Sequence, residues 1–184
     1  HAIDHIGCRS LILRVDGNWI GVASLLRAGG FQSVRREDAS MGDLLDTFIE
    51  DRNRIQPNHA NNLGTAHGGY VLRWMDEVGA MSAMRFAGEP CVTAHIDSVD
   101  FERPLELGDI ALIEAYVYAA GRSSVRVRVR AYGEDPLTGD RELTTESFFV
   151  FVAIDADRNP VEVPTLTVAT EEGERLRQQA MSDE

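Results

Sequence analysis

From Val92 onward, hydrophobic and polar residues alternate with a period of two in four separated runs: 92–101 (VTAHIDSVDF), 110–120 (IALIEAYVYAA), 124–132 (SVRVRVRAY) and 142–154 (ELTTESFFVFVAI). Successive strand residues point to opposite faces, so each run predicts a strand. The links between them, ERPLELGD, GR and GEDPLTGD, supply the Gly, Pro and Asp that turns require, and links this short join antiparallel neighbours. Upstream the period changes: from about Gly68 to Ala87 the spacing is helical, with no Pro, and Gly88-Glu89-Pro90 ends the run. A weaker strand pattern over 48–56 stops at Pro57, and 57–69 is a loop rich in Asn and Gly. One long helix and a sheet that must wrap it predict an α+β fold. The stretch from Thr165 reads as an acidic tail, a short surface helix or disorder.

On a wheel of about 100° per residue, Tyr70, Val71, Trp74, Met75, Val78, Met81 and Phe86 share one broad arc. Gly69, Asp76, Gly79, Ala80, Ala83 and Ala87 share the opposite arc, with Leu72 at its edge and Arg73, Glu77 and Arg85 on the flank. Arg73 and Glu77 form an i,i+4 pair, which accounts for one member of the acid pair Asp76-Glu77. Asp76 is left among small side chains, where another backbone, another subunit or a ligand can approach. The alternative is an ordinary pairing with Arg73 or a hydrogen bond to a partner chain. His67-Gly68-Gly69 opens the helix, where unpaired N–H groups and the positive end of the dipole suit an oxyanion or a polarised carbonyl. Tight packing at the junction would also explain those glycines. Asp76 stands roughly 10 to 12 Å of axial rise from Gly69, too far for both to meet one atom within a single helix.

Composition narrows the function classes. The chain has 184 residues and a net charge of −12, and its 18 basic residues are all Arg. Such a chain repels nucleic acid and anionic membranes. No apolar run is long enough to span a bilayer, and two cysteines, Cys8 and Cys91, without CxxC or CxxH spacing argue against a disulfide framework or a zinc site. We read a cytoplasmic protein with no metal, whose lack of Lys and excess of acid resemble proteins of salt-loving organisms. Residues 1–40 are slightly basic and the remainder strongly acidic. The expectation is that 1–40 form an extension outside the functional domain, that Met41 is the natural start, that 41–164 form the domain and 165–184 the tail.

The order "PNHANNLGTAHGGYVLRWMDEVGAMSAMRFAG", "VTAHIDSVDFERPLELGD", "GRSSVRVRV" and "FFVFVAIDADRNPVEVP" resembles the hotdog-fold acyl-CoA thioesterases, acyl-CoA hydrolase branch, over roughly 48–164. The resemblance implies a long central helix wrapped by a curved antiparallel sheet, and a homodimer joined edge to edge, assembled further into tetramers or hexamers. It implies acyl-CoA hydrolysis with no cofactor, coenzyme A being part of the substrate. A phenylacetate-type aromatic acyl-CoA thioesterase and a non-catalytic acyl-CoA-binding module are the alternatives. The family's catalytic acid falls on Asp76 and its active-site Asn on Asn61, with Asn58 and Asn62 nearby. N–H groups of Gly68 and Gly69 would polarise the thioester carbonyl, with Asp76 and Asn61 coming from facing subunits. Gly121, Arg122, Ser123 and Ser124 resemble the family's turn near the CoA nucleotide and phosphates, where Arg suits phosphate geometry. His67 either orients its loop or touches substrate. No GxSxG elbow exists and Cys91 has no neighbouring base. Arg126, Arg128 and Arg130 read as a solvated strand face neutralising nearby acids, with a role in CoA binding as the alternative, His95 as structural, and Met75, Met81 and Phe86 as candidates for closing the acyl tunnel.

Overall fold

A computed structural model describes residues 42–184 together with two short strands upstream, β1 (Ile12–Val15) and β2 (Asn18–Gly21), which pair as an antiparallel hairpin. That hairpin belongs to a separate compact unit, His1–Ala39, and Met41 lies outside the described residues.

Within Ser40–Glu184 the elements are β3 (Ile49–Arg54), α1 (Gly68–Ala87), β4 (Cys91–Ile96), β5 (Ile110–Ala120), β6 (Ser124–Glu134), β7 (Arg141–Ala153) and α2 (Glu171–Asp183). The five strands form one antiparallel sheet in the order β3-β5-β6-β7-β4, curled around α1 as the hotdog layout requires. α1 ends where the sequence predicts: Gly88 adopts the left-handed conformation (φ 70°) that closes a helix C-terminus, and its N–H donates to the Met84 carbonyl. β4 is shorter than the predicted 92–101. After Ile96 the chain leaves the sheet, because Asp97, Ser98 and Asp100 stay exposed while Phe101 turns toward the start of α1.

Alternation sorts the sheet into two faces. Ile113, Ala115 and Val117 of β5, Val125, Val127 and Val129 of β6, and Phe149 and Phe151 of β7 pack on Val71, Trp74, Met75, Val78, Ala83 and Phe86 of α1. The wheel is corrected in two places. Met81 is 40% exposed rather than part of the buried arc. Gly79, Ala83 and Ala87 face the protein's own sheet instead of an outside partner: a Cβ at Gly79 would stand 3.1 Å from the Phe151 ring and 3.2 Å from Val129. The buried arc is wider than bulk alone suggests, because small residues let the helix sink into the curl.

The other face is covered as well. α2 lies on it, burying Leu176 and Ala180 among Tyr116, Tyr118, Phe148 and Leu44. Thr170 caps the helix by accepting from the Gly173 N–H, and Glu171, Glu172 and Glu174 favour its first turn. The stretch expected to be a surface helix or disorder is therefore a packed element. The reading of Arg126, Arg128 and Arg130 as a face neutralising nearby acids holds, and Arg126 stays exposed, but Arg128 is buried and Arg130 partly so rather than solvated. Arg128 is only 3% exposed, reaching Glu146 and Asp183 at 2.7 Å each; Arg130 meets Glu114 at 3.2 Å and Arg126 meets Glu184 at 2.9 Å. Alternation correctly put the three on one face but carried no information about what covers it. Leu176→Ala should lower stability by about 2–4 kcal/mol, read as a lower denaturant midpoint; Arg175→Ala on the exposed side of α2 should change it by less than about 0.5 kcal/mol.

Candidate active site

Three clusters hold the residues singled out by sequence. The first is the loop before α1. Asn61 is its organiser: Oδ1 accepts from the Leu63 N–H at 2.8 Å and the Thr65 N–H at 3.3 Å, while Nδ2 donates to Thr65 Oγ1 at 2.9 Å. This Asx turn reinforces a loop whose backbone is also pinned by the Asn61 N–H donating to the Thr65 carbonyl at 2.8 Å and by a bridge between Ala60 and Ala66. Asn58 and Asn62 are exposed and make no such bonds. The amide of Asn61 retains a second N–H to donate.

His67 precedes the helix with an extended backbone and no side-chain cap, its ring tilted against Tyr70 at 6.5 Å. The N–H groups of Gly68 and Gly69 are among those at a helix start that have no intrahelical acceptor. A Cβ at Gly68 would press on the Phe101 ring at 3.2 Å and push it aside by a few tenths of an ångström, whereas nothing lies within 4 Å of a Cβ placed at Gly69. A pocket of about 320 Å³ begins at Gly68 and runs along Val71, Phe101, Leu105 and Thr144. A shallow concavity over His67, Gly69, Tyr70 and Arg73 adjoins it.

The second cluster is Asp76. It does not pair with Arg73, which bonds Glu77 at 2.8 Å as the wheel requires. Instead Thr93 Oγ1 of β4 donates to Asp76 Oδ1 at 2.6 Å, a short bond of the charge-assisted kind. β4 is an edge of the sheet, so the pair stands beside an open strand edge. Sequence reasoning missed Thr93. Alternation marks a strand but does not say which of its residues meets a helix acid, and attention went to His95, which is exposed. Within the chain, Asp76 and the Gly68-Gly69 N–H groups remain two turns apart.

The third cluster is the β5–β6 hairpin. The Gly121 N–H donates to the Ser124 carbonyl at 2.8 Å, and a Cβ at Gly121 would stand 2.6 Å from Ser124 Oγ, so a side chain there would require the serine hydroxyl to rotate away. Arg122 and its neighbours lie away from both other clusters. Among the described residues no three His, Cys, Asp or Glu side chains gather as a metal site, and no helix is long and apolar enough to cross a membrane. Burial pushes the Cys91 thiol up to about 11, with Glu89 adding to the effect, so the thiolate is scarce near neutrality.

A long helix in a curled antiparallel sheet, with an acid at the sheet edge and free N–H groups at the helix start, defines a hotdog protein. The comparisons agree. Residues 63–139 match the thioesterase superfamily. A Bacillus subtilis protein named as an uncharacterized acyl-CoA thioester hydrolase is 39% identical over 127 residues, covering 69% of this chain and 74% of that one. A hexameric acyl-CoA thioesterase superposes with a TM-score of 0.70 at 40% identity, covering 76% of this chain and 90% of the other. The Staphylococcus aureus acyl-CoA hydrolase solved with butyryl coenzyme A gives 0.70 at 31% identity, covering 76% and 85%. Variants of that enzyme replace an Asn, an Asp and a Thr with Ala at positions fifteen and seventeen residues apart in turn. Against the longer mouse acetyl-coenzyme A thioesterase the match spans only 21% of the relative. The chain belongs to the thioesterase superfamily, among the hotdog acyl-CoA hydrolases, and its class is thioester hydrolase.

Because a raised pKa disfavours the thiolate, Cys91 should alkylate with iodoacetamide slowly at pH 8, with a rate that keeps climbing with pH and levels off only near about 11. Peptide mass spectrometry separates this from Cys8, and Cys91→Ser should leave turnover within about twofold.

Proposed function

We propose that the protein hydrolyses acyl-CoA to the free acid and coenzyme A in a site completed by two copies of the chain. One copy supplies the Asn61 loop and the Gly68 and Gly69 N–H groups; the other supplies Asp76, oriented by Thr93. The single observation that carries this reading is the Asp76–Thr93 bond beside the open edge of β4. It leaves the acid ordered and half-exposed, yet two turns from the only free N–H groups of its own helix start. A neighbouring strand edge offers unpaired N–H and C=O groups to a second copy, and such pairing would carry a second Asn61 loop to this acid.

The spacing adds support. Asn61, Asp76 and Thr93 are separated by the same fifteen and seventeen residues as the three altered positions of the Staphylococcus aureus enzyme.

In the proposed reaction the thioester oxygen accepts from the Gly68 and Gly69 N–H groups, which stabilise the charge that develops as the carbonyl is attacked. Asp76 either removes a proton from water, whose oxygen then bonds the acyl carbon, or attacks the carbon itself and forms an anhydride that water later opens. In both routes the C–S bond breaks, the sulfur leaves as CoA thiolate and gains a proton, and the acid is released. The free N–H of Asn61 would hold the water or the carbonyl. Thr93 keeps one Asp76 oxygen occupied, leaving the other for chemistry. The 320 Å³ pocket beyond Gly68 would take the acyl group.

The test follows free thiol from a panel of acyl-CoAs. Asp76→Ala should reduce kcat by about 10²–10⁴-fold, Thr93→Val by about tenfold, and Glu77→Ala by less than twofold, because its exposed ion pair contributes about 0.3–0.5 kcal/mol. Coenzyme A binding without thiol release from any substrate would instead make the protein a binding module.

A further inference from the structure

The pocket that begins at Gly68 is apolar along much of its wall, with Val71, Phe101 and Leu105 in it, yet it holds one buried polar side chain that the chain itself leaves unused. Thr144 lines the pocket and is 2% exposed, and its hydroxyl bonds no group among the described residues. The other polar side chains of the wall are occupied or face water. Thr65 Oγ1 accepts from Asn61 at 2.9 Å, Arg103 donates to Glu142 at 2.7 Å, and Glu102 is exposed. Buried hydroxyls ordinarily have a partner, and a desolvated one without it is destabilising.

The backbone of β7 is irregular at the residue that carries this hydroxyl. Thr145 pairs with Ala131, which faces α1, and Leu143 pairs with Tyr132, which by alternation faces away. The register shifts between those two pairs, so Thr144 has no partner across the ladder and is the extra residue of a β-bulge. A bulge re-aims the side chain it carries. A Cβ on Gly133 of β6 would lie 3.0 Å from Leu105 and 3.7 Å from Thr144 Oγ1, which sets the hydroxyl beside the apolar wall. The Glu102 N–H donates to the Thr144 carbonyl at 2.9 Å, tying the bulge to the segment that brings Phe101 over Gly68. A dry cavity of roughly 150 Å³ accepts the six carbons of benzene, so a pocket of about 320 Å³ has room for an acyl chain of about eight carbons with an oxygen on it. A plain alkyl chain would desolvate the hydroxyl and return no hydrogen bond, whereas a hydroxyl on the chain would accept from it or donate to it.

We propose that Thr144 selects acyl groups that carry a hydroxyl, so that hydroxyacyl-CoA is preferred over the unsubstituted chain of the same length. This rests on the pocket beyond Gly68 receiving the acyl group in the hydrolysis proposed above. The test measures kcat/KM by thiol release for octanoyl-CoA and for its 3-, 5- and 8-hydroxy derivatives. At least one hydroxy derivative should exceed octanoyl-CoA by about fivefold. Thr144→Val, which keeps the shape and removes the hydroxyl, should erase that ratio, and Thr144→Ser, which keeps the hydroxyl, should retain it. The derivative that responds reports how far the hydroxyl stands from the thioester. A preference for none of the three, or one that survives in Thr144→Val, overturns the proposal and leaves the hydroxyl to a bound water. If no thioester is cleaved, calorimetry with the same four intact compounds reads the preference as a ratio of dissociation constants, which Thr144→Val should again erase. The hydrolase reading would then have failed by itself, and an equal affinity for all four would overturn the selectivity as well.

Discussion

The depth to which α1 sinks into the sheet governs the rest of the molecule. At Gly79 the helix backbone comes so close that a single methyl group would touch Phe151 and Val129, and Ala83 and Ala87 continue the close approach toward the C-terminus. Nine of the twenty helix residues are buried, and the exposed ones, Arg73, Glu77, Met81 and Met84 among them, mark the side that remains at the surface. Asp76 falls on the margin of that side, beside β4 rather than under the sheet. A carboxylate fully buried at this point would cost several kcal/mol or lose its charge; one fully exposed would have no fixed orientation. The margin provides a single strand hydroxyl to hold it and an open side from which to reach it.

The same economy applies to the opposite face of the sheet. Three arginines in alternate positions of β6 would be a poor surface for an apolar helix, yet α2 rests there. Its Leu176 and Ala180 meet Tyr116, Tyr118 and Phe148, while its C-terminal end brings Asp183 to Arg128 and Glu184 to Arg126. Arg128 also lies over the Phe148 ring at 5.8 Å, so its planar group is stacked as well as paired. Removing Asp183 would leave the buried Arg128 partly uncompensated, which is costlier than the pair is favourable.

How much of this was legible in the sequence depended on whether the information was local. The bounds of α1 were readable because Gly88 and Pro90 act within a few residues of the helix end, and the strand periods were readable because alternation is a property of the strand alone. The covering of Arg128 was not, since it depends on a helix some fifty residues away whose own composition looks like solvated tail. The breadth of the buried arc was missed because the wheel sorted residues by bulk, and a glycine at a close approach is as buried as a leucine. At the site, Asn61 and Asp76 were visible through their motif positions, but Thr93 was not: nothing in VTAHID distinguishes the one hydroxyl that faces the helix. The separation of the Gly68-Gly69 donors from Asp76, in contrast, followed from helical rise alone.

The placement of the ion pairs sets how the protein responds to ionic strength. At molar salt the screening length contracts to about 3 Å, and exposed pairs such as Arg73–Glu77 and Arg103–Glu142 lose most of their attraction along with the mutual repulsion of the surplus carboxylates. The Arg128 pairs, with a guanidinium 3% exposed, are shielded from mobile ions. Salt therefore weakens the exposed pairs more than it weakens the Arg128 contacts that hold the end of α2 to the sheet.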